Sequence, residues 1–365
     1  MSAADLFASP PGTYLLSHSV GLPLAGAHEQ LGTDYFDTWA TDPEAAWPTW
    51  LQLIDEFRGS LAGLLGGDAA SYCPQQNVSS GFTKILQAVR PAGRTPVVLL
   101  TEEAFPSLGF VCEHAGYEVR YIPSSVDVTD VSAWAGHVGD DVDVVLITQV
   151  HSNTGQLVPV VDVAALARQS GALSVVDVAQ SVGVIPIDVV AWNADFLVGS
   201  CVKWLCGGPG AGWMWVAPDV LDRCAPTDVG WFSHADPFEF DIHRFRYADD
   251  ALRFWGGTPS VLPFAVARRS IDVIAGIGVD TIRSHNLELT DRLIERCGSM
   301  VVSPLDADRR SGTVVVDPDT PIEDALAALR ASGVRVDARS TGLRISPHVY
   351  NSADDIERAA AILRP

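Results

Sequence analysis

The sequence predicts an α/β protein: a mostly parallel sheet covered on both faces, followed by a smaller α+β unit. Two observations carry this. Between residues 60 and 216, short continuous apolar runs alternate with segments of helical period, the pattern of strands buried on both faces and joined by helical crossovers. From about residue 250 the texture changes to two long helical patterns, then short strands mixed with helices.

The strand signals in the first part are Pro96-Val-Val-Leu-Leu-Thr101, Glu118-Val-Arg-Tyr-Ile122, Val142-Asp-Val-Val-Leu-Ile-Thr148, Ala172-Leu-Ser-Val-Val-Asp177, Phe196-Leu-Val198 and Gly212-Trp-Met-Trp-Val216. Helices are expected over 79–90, 103–116, 129–136 and 161–170. The segment 217–250, rich in Pro, Asp and His, reads as a connection. Beyond it, helices are expected over 260–275, 279–297, 321–332 and 352–363. Strands are expected at Gly312-Thr-Val-Val-Val316, Val334-Arg-Val-Asp337 and Leu343-Arg-Ile-Ser346.

Composition narrows the function. The formal charge is -21, which argues against nucleic acid and anionic membranes as partners, since both call for basic surface. No uncharged apolar run approaches the roughly 18 residues of a membrane span. Residues 1–12 show neither the basic stretch nor the long apolar run of a secretory leader. The six cysteines are scattered, with no CxxC pair and no zinc-like spacing, so reduced thiols in a cytoplasmic protein and no metal are expected.

Only two lysines, Lys84 and Lys203, stand among 24 basic residues. Arginine replaces lysine for charge, but it never loses its proton and cannot condense with an aldehyde at neutral pH. Lys203 follows the strand Phe196-Leu-Val198 and precedes the glycine-rich Gly207-Gly-Pro-Gly-Ala-Gly212. Such a lysine at a strand-to-loop junction points to Schiff-base chemistry. In open α/β sheets, ligands bind beyond the carboxyl ends of the strands. Asp177 ends one strand and Lys203 follows another, so both fall at that edge. Pyridoxal phosphate needs this pair: a lysine for its aldehyde and a carboxylate for its ring nitrogen. Its phosphate needs a helix N-terminus, and Gln76-Asn-Val-Ser-Ser-Gly81 opens one. Arg344 could grip a substrate carboxylate bidentately. Trp47-Pro-Thr-Trp50 and Trp231-Phe-Ser-His234 could line a pocket or simply pack in the core.

Two linked stretches, Val176-Asp-Val-Ala-Gln-Ser-Val-Gly-Val-Ile-Pro-Ile-Asp188 and Ala194-Asp-Phe-Leu-Val-Gly-Ser-Cys-Val-Lys-Trp-Leu-Cys-Gly-Gly-Pro-Gly210, resemble the class V aminotransferase family of fold-type I pyridoxal-phosphate enzymes. Further stretches look most like the kynureninases: Tyr14-Leu-Leu-Ser-His-Ser-Val-Gly21, Ala104-Phe-Pro-Ser107, Val229-Gly-Trp-Phe-Ser-His234 and Phe254-Trp-Gly-Gly-Thr-Pro259. The resemblance implies a large domain (21–245) with a seven-stranded, mostly parallel sheet and a small C-terminal α+β domain (246–365). Residues 1–20 would serve both the small domain and the active site, in a homodimer with its sites at the interface.

By the same resemblance, Lys203 would carry the cofactor imine and Asp177 would pair with the ring nitrogen. Gln180 would sit near the ring hydroxyl, and Phe105 would stack on the ring. Asn77, Val78, Ser79 and Ser200 would hold the phosphate. Trp231 and Thr258 would lie near it, with some of these contacts crossing the dimer interface. Arg344 would bind the substrate carboxylate. His18, Ser19 and Asn153 would contribute to the substrate pocket, with Trp47, Trp50, His151 and Gly257 as further candidates.

The implied activity is that of an enzyme acting on a free α-amino acid through an external aldimine. A kynureninase-like C–C hydrolase or β-lyase leads, with transamination or epimerisation as alternatives. Two departures stand out. Val202 occupies the position of a tyrosine in kynureninases and a histidine in desulfurases, and it can neither bond phosphate nor relay a proton. No cysteine lies between 298 and 365, which argues against a persulfide mechanism.

Overall fold

The computed structural model describes residues 2–364. Strand β1 (Thr13–Tyr14) joins the C-terminal part. The large sheet contains β2 (Tyr72–Gln75), β3 (Val97–Thr101), β4 (Glu118–Ile122), β5 (Val144–Thr148), β6 (Leu173–Asp177), β7 (Phe196–Ser200) and β8 (Gly212–Val216). Its order is β2-β8-β7-β6-β5-β3-β4, which meets the seven-stranded expectation. β3 to β7 run parallel, while β8 lies antiparallel between β7 and β2.

The apolar runs account for this order. β3 and β5 are buried at every residue, because helices cover both faces. β4 is an edge, with exposed Glu118 and an ion pair from Arg120 to Asp141, a device that discourages further strand pairing. The sequence reading missed β2. Its Cys-Pro-Gln segment lacks β-branched residues, and Pro74 is tolerated because the strand is an edge.

A second miss is the helix Ala46–Leu65. It buries Leu53, Ile54, Phe57 and Leu61, and Phe57 packs its ring against Phe264 of the helix Leu262–Ile277. The large core therefore takes in Phe264, Ile271 and Ile274 from beyond residue 246. The helix Val279–Cys297 spans two cores, with Ile282 in the first and Leu289, Leu293 and Cys297 in the second.

The second core lies under a small sheet of β9 (Val314–Val316), β11 (Asp337–Arg339) and β12 (Gly342–Ile345), with β12 in the middle. β1 pairs in parallel with β10 (Val334–Arg335), and Leu15 enters this core. The N-terminal segment is thus stitched to the C-terminal unit before passing beside the Lys203 loop. The final helix, Ala353–Leu363, opens on a capping box between Ser352 and Asp355.

Candidate active site

The carboxyl ends of the parallel strands meet at one edge. Thr148 and Asp177 are register partners on β5 and β6, and Ser200 ends β7 opposite Gly212. Together with Asn77, Val78, Ser79, Phe105, Ser107, Val150, Ser152, Gln180, Val202 and Lys203, they line a cavity of about 270 Å³. A larger hollow, about 560 Å³, lies between residues 20–34 and the helix Leu262–Ile277; its lining is mainly apolar and offers no comparable chemistry.

Lys203 is carried on a tight loop. Cys201 N–H donates to Ala211, Gly207 N–H to Cys201 and Cys206 N–H to the Lys203 carbonyl. Gly21 N–H donates to the Val202 carbonyl, and a Cβ at Gly21 would sit 2.1 Å from the Lys203 carbonyl oxygen. Glycine is what lets the N-terminal segment run this close. The Phe105 ring centroid is 5.9 Å from Lys203 Nζ.

The electrostatics suit amine chemistry. Burial lowers the Lys203 pKa; Asp177 opposes this, while Arg344 and Arg339 add to it. A neutral amine is the nucleophilic and basic form. Burial also raises the Asp177 pKa, against the Ala179 N–H bond and the Lys203 charge. Asp177 Oδ1 accepts from Ala179 N–H at 2.9 Å, leaving Oδ2 for a ligand. A cation bound there would return the carboxylate to its ionised form.

At the opposite end of the cavity, the helix Val78–Ala88 begins. Asn77 caps it, accepting from Ser80 N–H at 2.9 Å. The Val78 and Ser79 N–H groups are left for an anion. A Cβ at Gly212 would fall 2.7 Å from the Asn77 Cα, so glycine is needed there too. Thr148, which the sequence reading did not single out, offers a buried hydroxyl without a partner among the described residues. An orphaned polar atom inside a cavity marks a ligand position. A buried amine, a carboxylate, a helix N-terminus, the Phe105 ring and an unpaired hydroxyl around one cavity together fit pyridoxal phosphate.

Other expected residues lie elsewhere. Arg344 is buried on β12 and donates Nε–H to Asp337 Oδ1 at 2.8 Å, with a second bond from Nη2 to Oδ2. Its Nη1 donates to the carbonyl of Ser152, on the cavity wall, at 3.4 Å. Both His18 ring nitrogens are engaged, with Asp337 and with Ser346, while Gln180 donates to the His18 carbonyl at 3.1 Å. Asn153 donates to Glu103 at 3.0 Å. Ser19 is exposed. Trp231 Nε1 donates to Thr258 at 3.2 Å. Neither residue lines the Lys203 cavity of its own chain; they border separate hollows. Trp47 and Trp50 pack in an aromatic cluster with Tyr35, Trp39 and Trp231. His151 is buried against Thr101 at 3.0 Å.

A mostly parallel sheet presenting lysine and carboxylate at one edge, with a helix N-terminus lining the same cavity, defines a Schiff-base enzyme of the fold-type I class. The profile of the aminotransferase class-V family matches residues 103–359, and the chain belongs to that family: it is a pyridoxal-phosphate-dependent enzyme. It is 32% identical to a kynureninase of Deinococcus radiodurans, covering 92% of this chain and 83% of that protein. It is 26% identical to the uncharacterized aminotransferase YcbU of Bacillus subtilis, over 89% and 87%. Among solved structures, the apo cysteine desulfurase of Thermococcus onnurineus superposes with a TM-score of 0.84 over 96% of this chain and 93% of that one, at 20% identity, a likeness of fold. Among the described residues, no group of His, Cys, Asp and Glu could hold a metal, and no helix is long and apolar enough to cross a membrane.

Proposed function

We propose that this chain is a cytoplasmic, homodimeric enzyme acting on a free α-amino acid, cleaving it in the manner of a kynureninase, as a C–C hydrolase or β-lyase. The observation that carries the reading is the shared cavity of Lys203 and Asp177, at the ends of neighbouring parallel strands. Likeness to the Deinococcus kynureninase over most of both chains supports the substrate class.

Bound pyridoxal phosphate supplies an aldehyde for amines and a protonated ring that accepts electrons from the substrate Cα. Asp177 Oδ2 would take the ring nitrogen and keep its proton in place. The Val78 and Ser79 N–H groups, with Ser200, take the phosphate. Phe105 and Gln180, which line the same cavity, would contact the ring and its hydroxyl. Arg344 would hold the substrate α-carboxylate and so fix which bond at Cα is presented for cleavage. Lys203 Nζ removes the proton at Cα and returns it, a role served by its lowered pKa. Trp231 and Thr258 serve the partner subunit's site; the packing of Trp231 against the exposed Phe238 and Phe240, and its bond to Thr258, support this. Six free, buried cysteines suit a reducing cytoplasm.

Val202 lacks the hydroxyl or imidazole of the kynureninase and desulfurase branches, and likeness to the aminotransferase YcbU supports transamination as the second reading. The test is a panel of amino acids that includes kynurenine, run with and without pyruvate or 2-oxoglutarate. Anthranilate release supports hydrolysis, and turnover that depends on the keto acid replaces it with transamination. Lys203→Ala should lose both turnover and the near-visible absorbance; a fully active variant would remove Lys203 from the mechanism.

A further inference from the structure

Arg344 has five N–H donors, and the chain accounts for three. Nε and one Nη2 hydrogen go to Asp337, directly opposite on the hairpin of β11 and β12. One Nη1 hydrogen goes to Ser152. Among the described residues, one hydrogen on each terminal nitrogen is left without an acceptor, and the Nη2 one lies on the end edge, from which a guanidinium can take a carboxylate. Asp337 therefore occupies the side edge of Arg344 and leaves the end edge to the remaining Nη2 hydrogen and to Nη1, which also reaches Ser152.

Asp337 is itself held. His18 Nε2 lies 2.9 Å from Asp337 Oδ1, and His18 Nδ1 lies 2.6 Å from Ser346 Oγ. Ser346 Oγ is 2.7 Å from Thr313 Oγ1. Although burial raises the Asp337 pKa, the bonds from His18 and Arg344 outweigh it and hold the carboxyl well below the usual range. The carboxylate can then only accept, so His18 Nε2 carries the proton. Burial keeps the imidazole neutral, so Nδ1 accepts from Ser346, and Ser346 in turn accepts from Thr313. The donors run one way, from Thr313 through Ser346 and His18 to Asp337, where they meet the guanidinium.

Resting on the reading that Arg344 takes the substrate α-carboxylate, we propose that Asp337 and His18 are positioning residues: the Thr313–Ser346–His18–Asp337 chain fixes the roll of the Arg344 guanidinium so that its end edge faces the Lys203 cavity. His18 thus acts through Asp337 and touches no substrate. Aiming a ligand-binding group through an outer layer of hydrogen bonds is the usual way a site keeps its geometry.

The test compares L-alanine with L-alaninamide, titrated against the cofactor-loaded protein and read from cofactor absorbance. The ratio of the two affinities isolates the α-carboxylate. Asp337→Ala should reduce the preference for alanine roughly tenfold, about 1.4 kcal/mol, while the alaninamide affinity stays within about twofold. Asp337→Asn, which keeps one acceptor, should fall between. His18→Gln, which can still donate to Asp337, should preserve more of the preference than His18→Ala, and this pair serves if the Asp337 variants do not fold. An unchanged preference in folded variants overturns the proposal. So does a raised preference, which would make Asp337 a competitor for Arg344. Equal weakening of both ligands overturns it as well, since a merely structural role moves the two together. If Arg344→Gln leaves the preference intact, the fault lies with Arg344 as the carboxylate site, and the proposal falls with it.

Discussion

Thr148 and Asp177 are register partners at the ends of β5 and β6, and both line the Lys203 cavity. The Thr148 hydroxyl is buried with no partner among the described residues. Replacing it with the near-isosteric Val removes an orphaned polar group, so the cofactor-free protein should gain about 1 kcal/mol of stability. The same change should weaken pyridoxal phosphate binding about tenfold, the loss of one hydrogen bond to a charged or polar ligand. Thermal melts without cofactor and fluorescence titration with it measure both. Unchanged cofactor affinity would show that the hydroxyl serves only the fold.

Lys84, the second lysine, has a structural role. Its Nζ donates to the carbonyls of Phe254 and Trp255 at 2.8 and 2.9 Å and lies 3.3 Å from Asp228. A compact ammonium meets three converging acceptors, which a planar guanidinium fits poorly. Lys84→Met should cost roughly 1–3 kcal/mol through the carbonyls left unpaired, and Lys84→Arg should recover little of it. Urea denaturation of the two variants checks this.

Acid should destabilise the protein across a definite window. Burial pushes His348 and His151 down to about 4 from the ordinary 6.5. Between these values the unfolded chain binds protons that the folded chain refuses, so stability falls as pH drops from about 6.5 to about 4. His348 Nδ1 accepts from Val349 N–H, so Nε2 donates to the carbonyl of Trp204, the residue after Lys203. His348→Gln, which can still donate there, should flatten part of the slope in urea midpoints taken between pH 7.5 and 4.5. A profile as steep as the wild type's would assign the slope to other groups.

The segment 229–245 presents Phe240 at 77% and Ile242 at 93% exposure, beside Trp231. An exposed apolar cluster of this kind marks an interaction surface. If the proposed dimer forms through this surface, replacing both Phe240 and Ile242 with Ser should shift sedimentation from dimer to monomer and lower turnover, because Trp231 and Thr258 would no longer reach the partner's site. A fully active, dimeric variant would place the interface elsewhere.

The strand runs from Pro96 to Val216 were legible because strands buried on both faces must be continuously apolar, and the helices between them because their period is local. The meeting of Lys203 and Asp177 at one sheet edge was legible because topology restricts where the ends of parallel strands lie. The edge strand Tyr72–Gln75 and the long helix Ala46–Leu65 were not, since their burial depends on partners far along the chain: Trp213 and Met214 for the strand, Phe264 for the helix. Tertiary structure alone decided that His18 reaches Asp337 and Ser346, beside Arg344 on the β11–β12 hairpin, from more than three hundred residues away. Local periodicity determines what each segment buries, but the pairing of polar groups is set by which segments come together, and no pattern along the chain encodes that.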